Sequence, residues 1–251
     1  LGFLVSSGNI DSMVAHYTAA KKKRSEDAYT PGGKAGKRPD RAVIVYCQRI
    51  REAYGTEIPL VIGGLEASLR RFAHYDYWDD AIRPSILFDS GADLLIYGMG
   101  ENQVIEIARR LDAEEPVASL TDIRGTCYAV DVHETPLYGK ECPSYENVLK
   151  SKQEYAVSCR IQQGKQGHIR VNLLNQLDGS RVLVQNPPMN PLTQQELDRV
   201  YALPYQRTYH PSYEPLGGVP GIAEVEFSIT HNRGCFGACN FCSLAFHQGR
   251  Y

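Results

Sequence analysis

The stretch Ala92-Asp93-Leu94-Leu95-Ile96-Tyr97-Gly98-Met99-Gly100-Glu101 decides the fold. Its continuous apolar run reads as a buried strand closing in Gly-x-Gly, the pattern of a parallel sheet covered on both faces. Val104, Ile105, Ala108 and Leu111 then recur at helical spacing and predict a helix with those residues on one face. The same order appears upstream, where Leu60-Val61-Ile62-Gly63-Gly64-Leu65-Glu66 is an apolar run closing in a glycine pair. It suits a central parallel strand running into a ligand-side loop, although a glycine pair by itself also makes a plain tight turn. Gly2-Phe3-Leu4-Val5-Ser6, a turn at Gly8-Asn9-Ile10-Asp11 and a helix over Ser12 to Ala20 begin the series, and a strand within Leu120 to Val130 closes it. Several βα steps in succession imply an α/β fold built on a doubly wound parallel sheet. Gly98-x-Gly100 lacks the third glycine of a dinucleotide fingerprint, so NAD is not inferred.

Between and after these steps the chain is less regular. Residues 21 to 41 carry eight basic and three acidic side chains around Pro31-Gly32-Gly33. This reads as a solvated, mobile loop, and with no aromatic platform beyond Tyr29 a nucleic-acid contact is not indicated. Asp40 as a cap, Val43, Cys47, Ile50 and Tyr54 at helical spacing, and a left-handed Gly55 predict a helix. Phe72 to Trp78 sets His74, Tyr75, Tyr77 and Trp78 beside three aspartates. A packed surface loop is favoured there over a cofactor face. From 131 to 222 the pattern changes to a helix over Tyr145 to Gln163 and short strands at His168 to Leu174 and Arg181 to Gln185. Asn186-Pro187-Pro188 breaks the chain, Thr193 and Glu196 form a capping box for a helix to Ala202, and an extended linker follows. The reading therefore divides the chain into an α/β domain at 1–130, a connecting α+β segment and linker at 131–222, and the start of a further domain at 223–251.

The 251 residues are 43% hydrophobic and 22% charged, with a net charge of -2. That suffices for a buried core and gives no overall bias toward nucleic acid or an acidic membrane. A run of about 18 apolar residues able to span a bilayer is absent. Seven cysteines, three of them clustered, point to reduced thiols in a cytoplasmic protein rather than a disulfide scaffold. Cys47, Cys127, Cys142 and Cys159 are scattered and read as small core or surface residues. A strand-like start without methionine, and an end close behind the clustered cysteines, give the expectation of a fragment.

That cluster is Gly234-Cys235-Phe236-Gly237-Ala238-Cys239-Asn240-Phe241-Cys242. Glu224 to Thr230 alternates polar and apolar residues and predicts a strand feeding the loop, which would place the thiols at a strand's carboxyl end. Gly234 and Gly237 permit the dihedrals that a tight curl demands. Three chemistries use such thiols. A structural zinc would be completed by His231 or His247. Cys239 and Cys242 have the spacing of a redox pair. An iron-sulfur cluster is held by three cysteines with one iron left open. Spacing alone does not choose among them.

The surroundings carry a resemblance. C-x3-C-x2-C after a first strand, with Phe241 immediately before the last cysteine, resembles the radical S-adenosylmethionine superfamily. Val61-Ile62-Gly63-Gly64, Ala92 to Glu101 and Ile123-Arg124-Gly125 look like the cobalamin-binding-like, Rossmann-type domain that precedes the barrel in many radical enzymes. With Gly8 to Met13, Tyr29 to Gly33 and Phe246-His247-Gln248-Gly249-Arg250, nearly the whole chain is similar to the YgiQ family (UPF0313) of radical S-adenosylmethionine proteins. The resemblance implies that Cys235, Cys239 and Cys242 ligate a [4Fe-4S] cluster and that Phe241 contacts the nucleoside of S-adenosylmethionine. It implies that 223–251 holds the first strand and cluster loop of a truncated partial TIM barrel. It also implies a parent enzyme that takes an electron from a donor such as flavodoxin or ferredoxin, cleaves S-adenosylmethionine to a 5'-deoxyadenosyl radical, and acts on an unknown substrate. Cobalamin is not supported, because the D-x-H-x-x-G motif is absent and Asp131-Val132-His133 has Pro136 where glycine is needed. The competing reading is a non-catalytic binding module with a structural Fe-S or Cys3His zinc site.

Overall fold

The computed structural model describes residues 2–133, 139–164, 173–230, 232–237, 239 and 241–250. In chain order its elements are β1 (Phe3–Val5), α1 (Ser12–His16), α2 (Ala42–Tyr54), β2 (Leu60–Ile62), α3 (Gly64–Leu69), β3 (His74–Asp76), β4 (Ala81–Arg83), α4 (Ile86–Ser90) and β5 (Leu94–Ile96). There follow α5 (Glu101–Asp112), β6 (Thr126–Asp131), β7 (Lys140–Cys142), α6 (Tyr145–Lys150), α7 (Lys152–Gly164), β8 (Leu174–Asp178), β9 (Arg181–Gln185), α8 (Gln194–Tyr201) and α9 (Ser243–Gln248). Among the described residues no helix is long and apolar enough to cross a membrane.

One seven-stranded sheet runs in the order β1-β2-β5-β6-β9-β8-β7, and β3 with β4 forms a separate hairpin. The first three strands are parallel neighbours, with Phe3 opposite Leu60 and Val61 opposite Leu94. There the βα reading holds. Beyond β5 the sheet departs from the expected doubly wound parallel arrangement: β6 is antiparallel to β5, β9 to β6 and β8 to β9, and only β7 on β8 is parallel again. The path after α5 is the cause. Residues 113–125 run back to the carboxyl end of β5, where Tyr97 N donates to Gly125 O at 2.9 Å, so the chain enters β6 from that end. The fold is thus mixed α/β, and its single large sheet takes strands from both sides of residue 130.

The pleat sends alternate side chains of the parallel strands to two cores. Leu60, Ile62 and Leu95 meet Val43 and Cys47 of α2 and Ile86 and Leu87 of α4, while Val61, Leu94 and Ile96 meet Ile107 of α5 with Leu120 and Ile123. Each such side chain contributes about 1.5–3 kcal/mol on burial. The inward face of α5 is Gln103, Val104, Ile107 and Leu111, so Ile105 and Ala108 point outward, against the expected stripe.

The helix ends are satisfied in an unexpected way. Arg41 with φ 50°, not Asp40, precedes α2, and no side chain of its own caps the helix. Asp40 instead accepts from Tyr17 Oη at 2.7 Å and lies 2.7 Å from His16 Nδ1. Glu66, fully buried, accepts from Val43 N at 3.1 Å and from Ser12 N at 2.9 Å, joining the amino ends of α2 and α1. The Gly63-Gly64 pair serves this tight turn: Gly64 has φ +78°, and a Cβ there would stand 3.1 Å from Ser6 Cβ.

Other expectations are also revised. Residues 21 to 41 are tied down, with Arg38 on Asp27 at 2.7 Å and Gly32 N on Gly218 O at 2.8 Å. The helix expected over Tyr145 to Gln163 is two, broken at Ser151, whose backbone is extended. Phe72 to Trp78 holds the surface hairpin strand β3. The strand starting at His168 falls largely outside the described residues, and β8 begins at Leu174. The expected linker contains 3-10 turns at Pro211–Leu216 and Pro220–Glu224. The barrel strand expected over Glu224 to Thr230 is absent: Ser228 N bonds Val225 O at 3.0 Å in a local turn, and Val225, Phe227 and Ile229 are exposed. Alternation marks a half-buried strand only where a neighbour completes its ladder, and no described strand lies opposite this segment.

Candidate functional site

A cavity of about 320 Å³ opens at the carboxyl end of β5. Its floor is Tyr97-Gly98-Met99 and the first turn of α5, one wall is the Pro188 to Leu192 segment after β9 with α8, and the other is Arg233 with the carboxyl end of α9. Tyr97 is anchored by its hydroxyl, which donates to Asn186 O at 2.5 Å, and burial pushes its pKa upward. Gln103 is fully buried on the α5 side. Its Nε2 donates to Tyr97 O at 3.5 Å, and its Oε1 has no hydrogen-bond partner among the described residues. It can lie there because residue 125 is glycine: a Cβ at that position would fall 2.2 Å from Gln103 Nε2.

The lining is electropositive. Buried Arg71 follows α3 and donates to Gln185 Oε1 at 2.7 Å, to Ser68 O and to Phe246 O at 3.3 Å. Its guanidinium stacks 3.9 Å from the Phe246 ring centroid and 4.7 Å from that of Tyr97, and burial draws its pKa down. Arg250 donates through Nη2 to Gln163 O at 3.2 Å, while its buried Nε has no partner among the described residues. Arg233 is neutralised by the Glu101 carboxylate. Among the described residues no Asp or Glu lines the cavity.

The cysteine loop adjoins this wall. Gly234 N donates to Gln248 Oε1 at 3.1 Å and Cys235 N to Gly249 O at 3.1 Å, fastening the start of the loop to the end of α9. Cys242 N donates to Cys239 O at 3.0 Å, and Cys242 immediately precedes α9. A Cβ on Gly237 would sit 3.5 Å from Cys235 Sγ and 4.0 Å from Cys239 Sγ, so these two sulfurs flank the space that the glycine leaves. A donor set of free thiols around such a cradle fits a thiolate-bound cluster. Both sulfurs thus lie within 4.0 Å of that Cβ position, whereas among the described residues no three His, Cys, Asp or Glu side chains are gathered as a metal site. Phe241 is 92% exposed. Of the two histidines weighed for zinc, His247 lines the cavity with its Nδ1 buried and unpartnered, and His231 lies outside the described residues. By contrast, burial pushes the Cys47, Cys127 and Cys142 thiols up to about 12, which keeps them protonated and inert.

Sequence reasoning finds the loop and misses the cavity. Gln103 leaves a signal, a polar residue in the stripe shared by Ile107 and Leu111, whereas Arg71 and Arg250 leave none because their partners are remote in sequence.

Comparison with known proteins agrees with the resemblance. A family model described as Radical SAM N-terminal matches residues 1–228, which stops short of the cysteine loop. A UPF0313 protein of Clostridium botulinum (strain 657 / Type Ba4) is 58% identical over 250 residues, covering 99% of this chain and 39% of that protein. A UPF0313 protein of Clostridium perfringens (strain SM101 / Type A) is 53% identical over 252 residues, covering 100% of this chain and 38% of that protein. The chain therefore spans less than two fifths of the length of these relatives. No solved structure matches it.

Proposed function

This chain belongs to the radical SAM N-terminal family, and from that premise we propose that the full-length protein is a cytoplasmic radical S-adenosylmethionine enzyme whose cluster is held by Cys235, Cys239 and Cys242. The observation that carries the reading is the pair of thiols flanking Gly237 in a loop fastened to α9. When bound, a [4Fe-4S] cluster and S-adenosylmethionine supply the reductive cleavage that yields a 5'-deoxyadenosyl radical. This chain's residues hold and shape the site. Gly237 leaves the space between two sulfurs, Gln248 and Gly249 fix where the loop starts, and exposed Phe241 is available to stack on a nucleoside. In this reading the parallel strands β1, β2 and β5 form a Rossmann-like unit that precedes the cluster loop. Cobalamin has no part in it, and the electron comes from a donor such as flavodoxin or ferredoxin.

Anaerobic reconstitution of the full-length protein tests the proposal. About four iron per chain are expected, with a spectrum that changes when S-adenosylmethionine is added and is lost on replacing the three cysteines by serine. About one zinc per chain with no iron would establish the structural alternative instead.

A further inference from the structure

The cavity at the carboxyl end of β5 has a lining of its own, drawn mostly from outside the cysteine loop. Besides His247 Nδ1, two buried polar groups of its lining, Gln103 Oε1 and Arg250 Nε, have no hydrogen-bond partner among the described residues. Each is a destabilising feature unless something completes its bonding. They are complementary, since an amide oxygen accepts and a guanidinium N–H donates. The amino end of α5, a helix of 12 residues, reaches the same wall through Asn102 and Gln103, and no side chain caps it at Gly100. Its dipole favours negative charge there. Arg71 adds a buried cation, and Glu101 in the first turn of α5 is paired with Arg233. Met99, Met189, Leu192 and Leu197 make much of the remaining surface apolar.

We propose that this cavity binds a small organic anion that also carries a hydrogen-bond donor and an apolar body. Its carboxylate or phosphate meets Arg250 and the amino end of α5, a hydroxyl or amine donates to Gln103 Oε1, and its body lies against the methionines and leucines. Arg233 and Gln248 line the cavity and adjoin the cysteine loop, so the bound anion lies beside that loop. That the anion is the substrate rests on the radical reading; that it binds does not.

Calorimetric titration of the full-length protein with 3-phenyllactate, phenyl phosphate and neutral 2-phenylethanol tests this, in the reconstituted form and in the variant with the three loop cysteines replaced by serine. One of the two anions is expected to bind in both forms, and which one binds distinguishes carboxylate from phosphate. The neutral compound is expected to bind about tenfold more weakly or not at all. Where phenyllactate is the anion bound, Gln103→Leu should weaken it about tenfold. Leu197→Trp, a half-buried α8 position where added bulk fills the cavity, should abolish binding while thermal unfolding stays close to wild type. Equal binding of anions and alcohol, undiminished binding in Leu197→Trp, or no binding by any probe would overturn the proposal. Anion binding by wild-type protein that takes up no iron on reconstitution would count against the radical reading alone.

Discussion

The two strand-to-helix turns of the parallel unit are built alike and end differently. After β2, Gly63 and Gly64 lead into α3 and bury Glu66; after β5, Gly98 and Gly100 lead into α5 and bury Gln103, and both polar residues are 0% exposed. Both Glu66 oxygens are used, one on the amide of Val43 and one on that of Ser12. The Gln103 oxygen has no partner among the described residues, and Gln103 lines the cavity. A buried polar group with its bonds complete fastens the fold, while one left incomplete costs stability and persists where a ligand completes it.

The comparison breaks if Glu66 is dispensable. Glu66→Ala removes two buried hydrogen bonds and strands two amides at the starts of α1 and α2. A loss of about 3–5 kcal/mol is expected, measured as a fall in the urea midpoint with early exchange of the amides of both helices. Glu66→Gln should recover only part, because an amide nitrogen cannot accept from an N–H.

The next effect lies on the same structural side, in the hairpin after α3. Burial, with the nearby Arg70 charge adding to it, lowers the His74 pKa from 6.5 to about 4. The unfolded imidazole takes its proton as pH falls through 6.5 and the folded one waits until about 4. Stability is therefore full above the upper value and declines across the interval, by up to about 3 kcal/mol. His74→Gln should flatten this acid limb in melts at a series of pH values. An unchanged slope would show that His74 is protonated normally in the folded state.

What could be read from the sequence follows the same division. β1, β2 and β5 are legible because burial on two faces leaves continuous apolar runs, and the cysteine loop because its ligand-type residues are close in sequence. The antiparallel half is not legible, since its direction depends on residues 113–125 returning to Tyr97, a path with no local pattern. The strand expected at Glu224 to Thr230 shows the converse, a good local pattern with no strand opposite it among the described residues. The cavity is hidden for two reasons. Arg71 and Gln185 stand 114 positions apart. On α5, an apolar-only reading takes Val104, Ile105, Ala108 and Leu111 as the inner face and so passes over the buried Gln103.

Gly125 sharpens the contrast from the cavity side. Its φ is +75°, and an added Cβ would meet Gln103 Nε2 at 2.2 Å and Met189 Cβ at 3.3 Å. Gly125→Ala should cost about 1–3 kcal/mol and displace Gln103, with anion binding lost together with stability. Gly91 is the control, with φ +65° and nothing within 4 Å of the added atom. Gly91→Ala should show the backbone cost alone, about 1 kcal/mol, with binding unchanged.

The smallest stability effect is the most discriminating. Gln103→Leu removes an unpaired buried oxygen and, with it, only a long hydrogen bond of 3.5 Å to Tyr97 O. Losing the unpaired oxygen relieves a desolvation cost, losing the long bond forfeits little, and a leucine of similar bulk joins the face of Ile107 and Leu111. The unfolding free energy should therefore stay within about 1 kcal/mol of wild type or rise, although the residue is as buried as Glu66. If Gln103→Leu instead destabilised the fold as severely as Glu66→Ala, Gln103 would be a structural fastening and the two turns would do the same work. If stability held while phenyllactate binding fell, the unpaired oxygen would be a ligand contact, and the difference between the turns would be one of function.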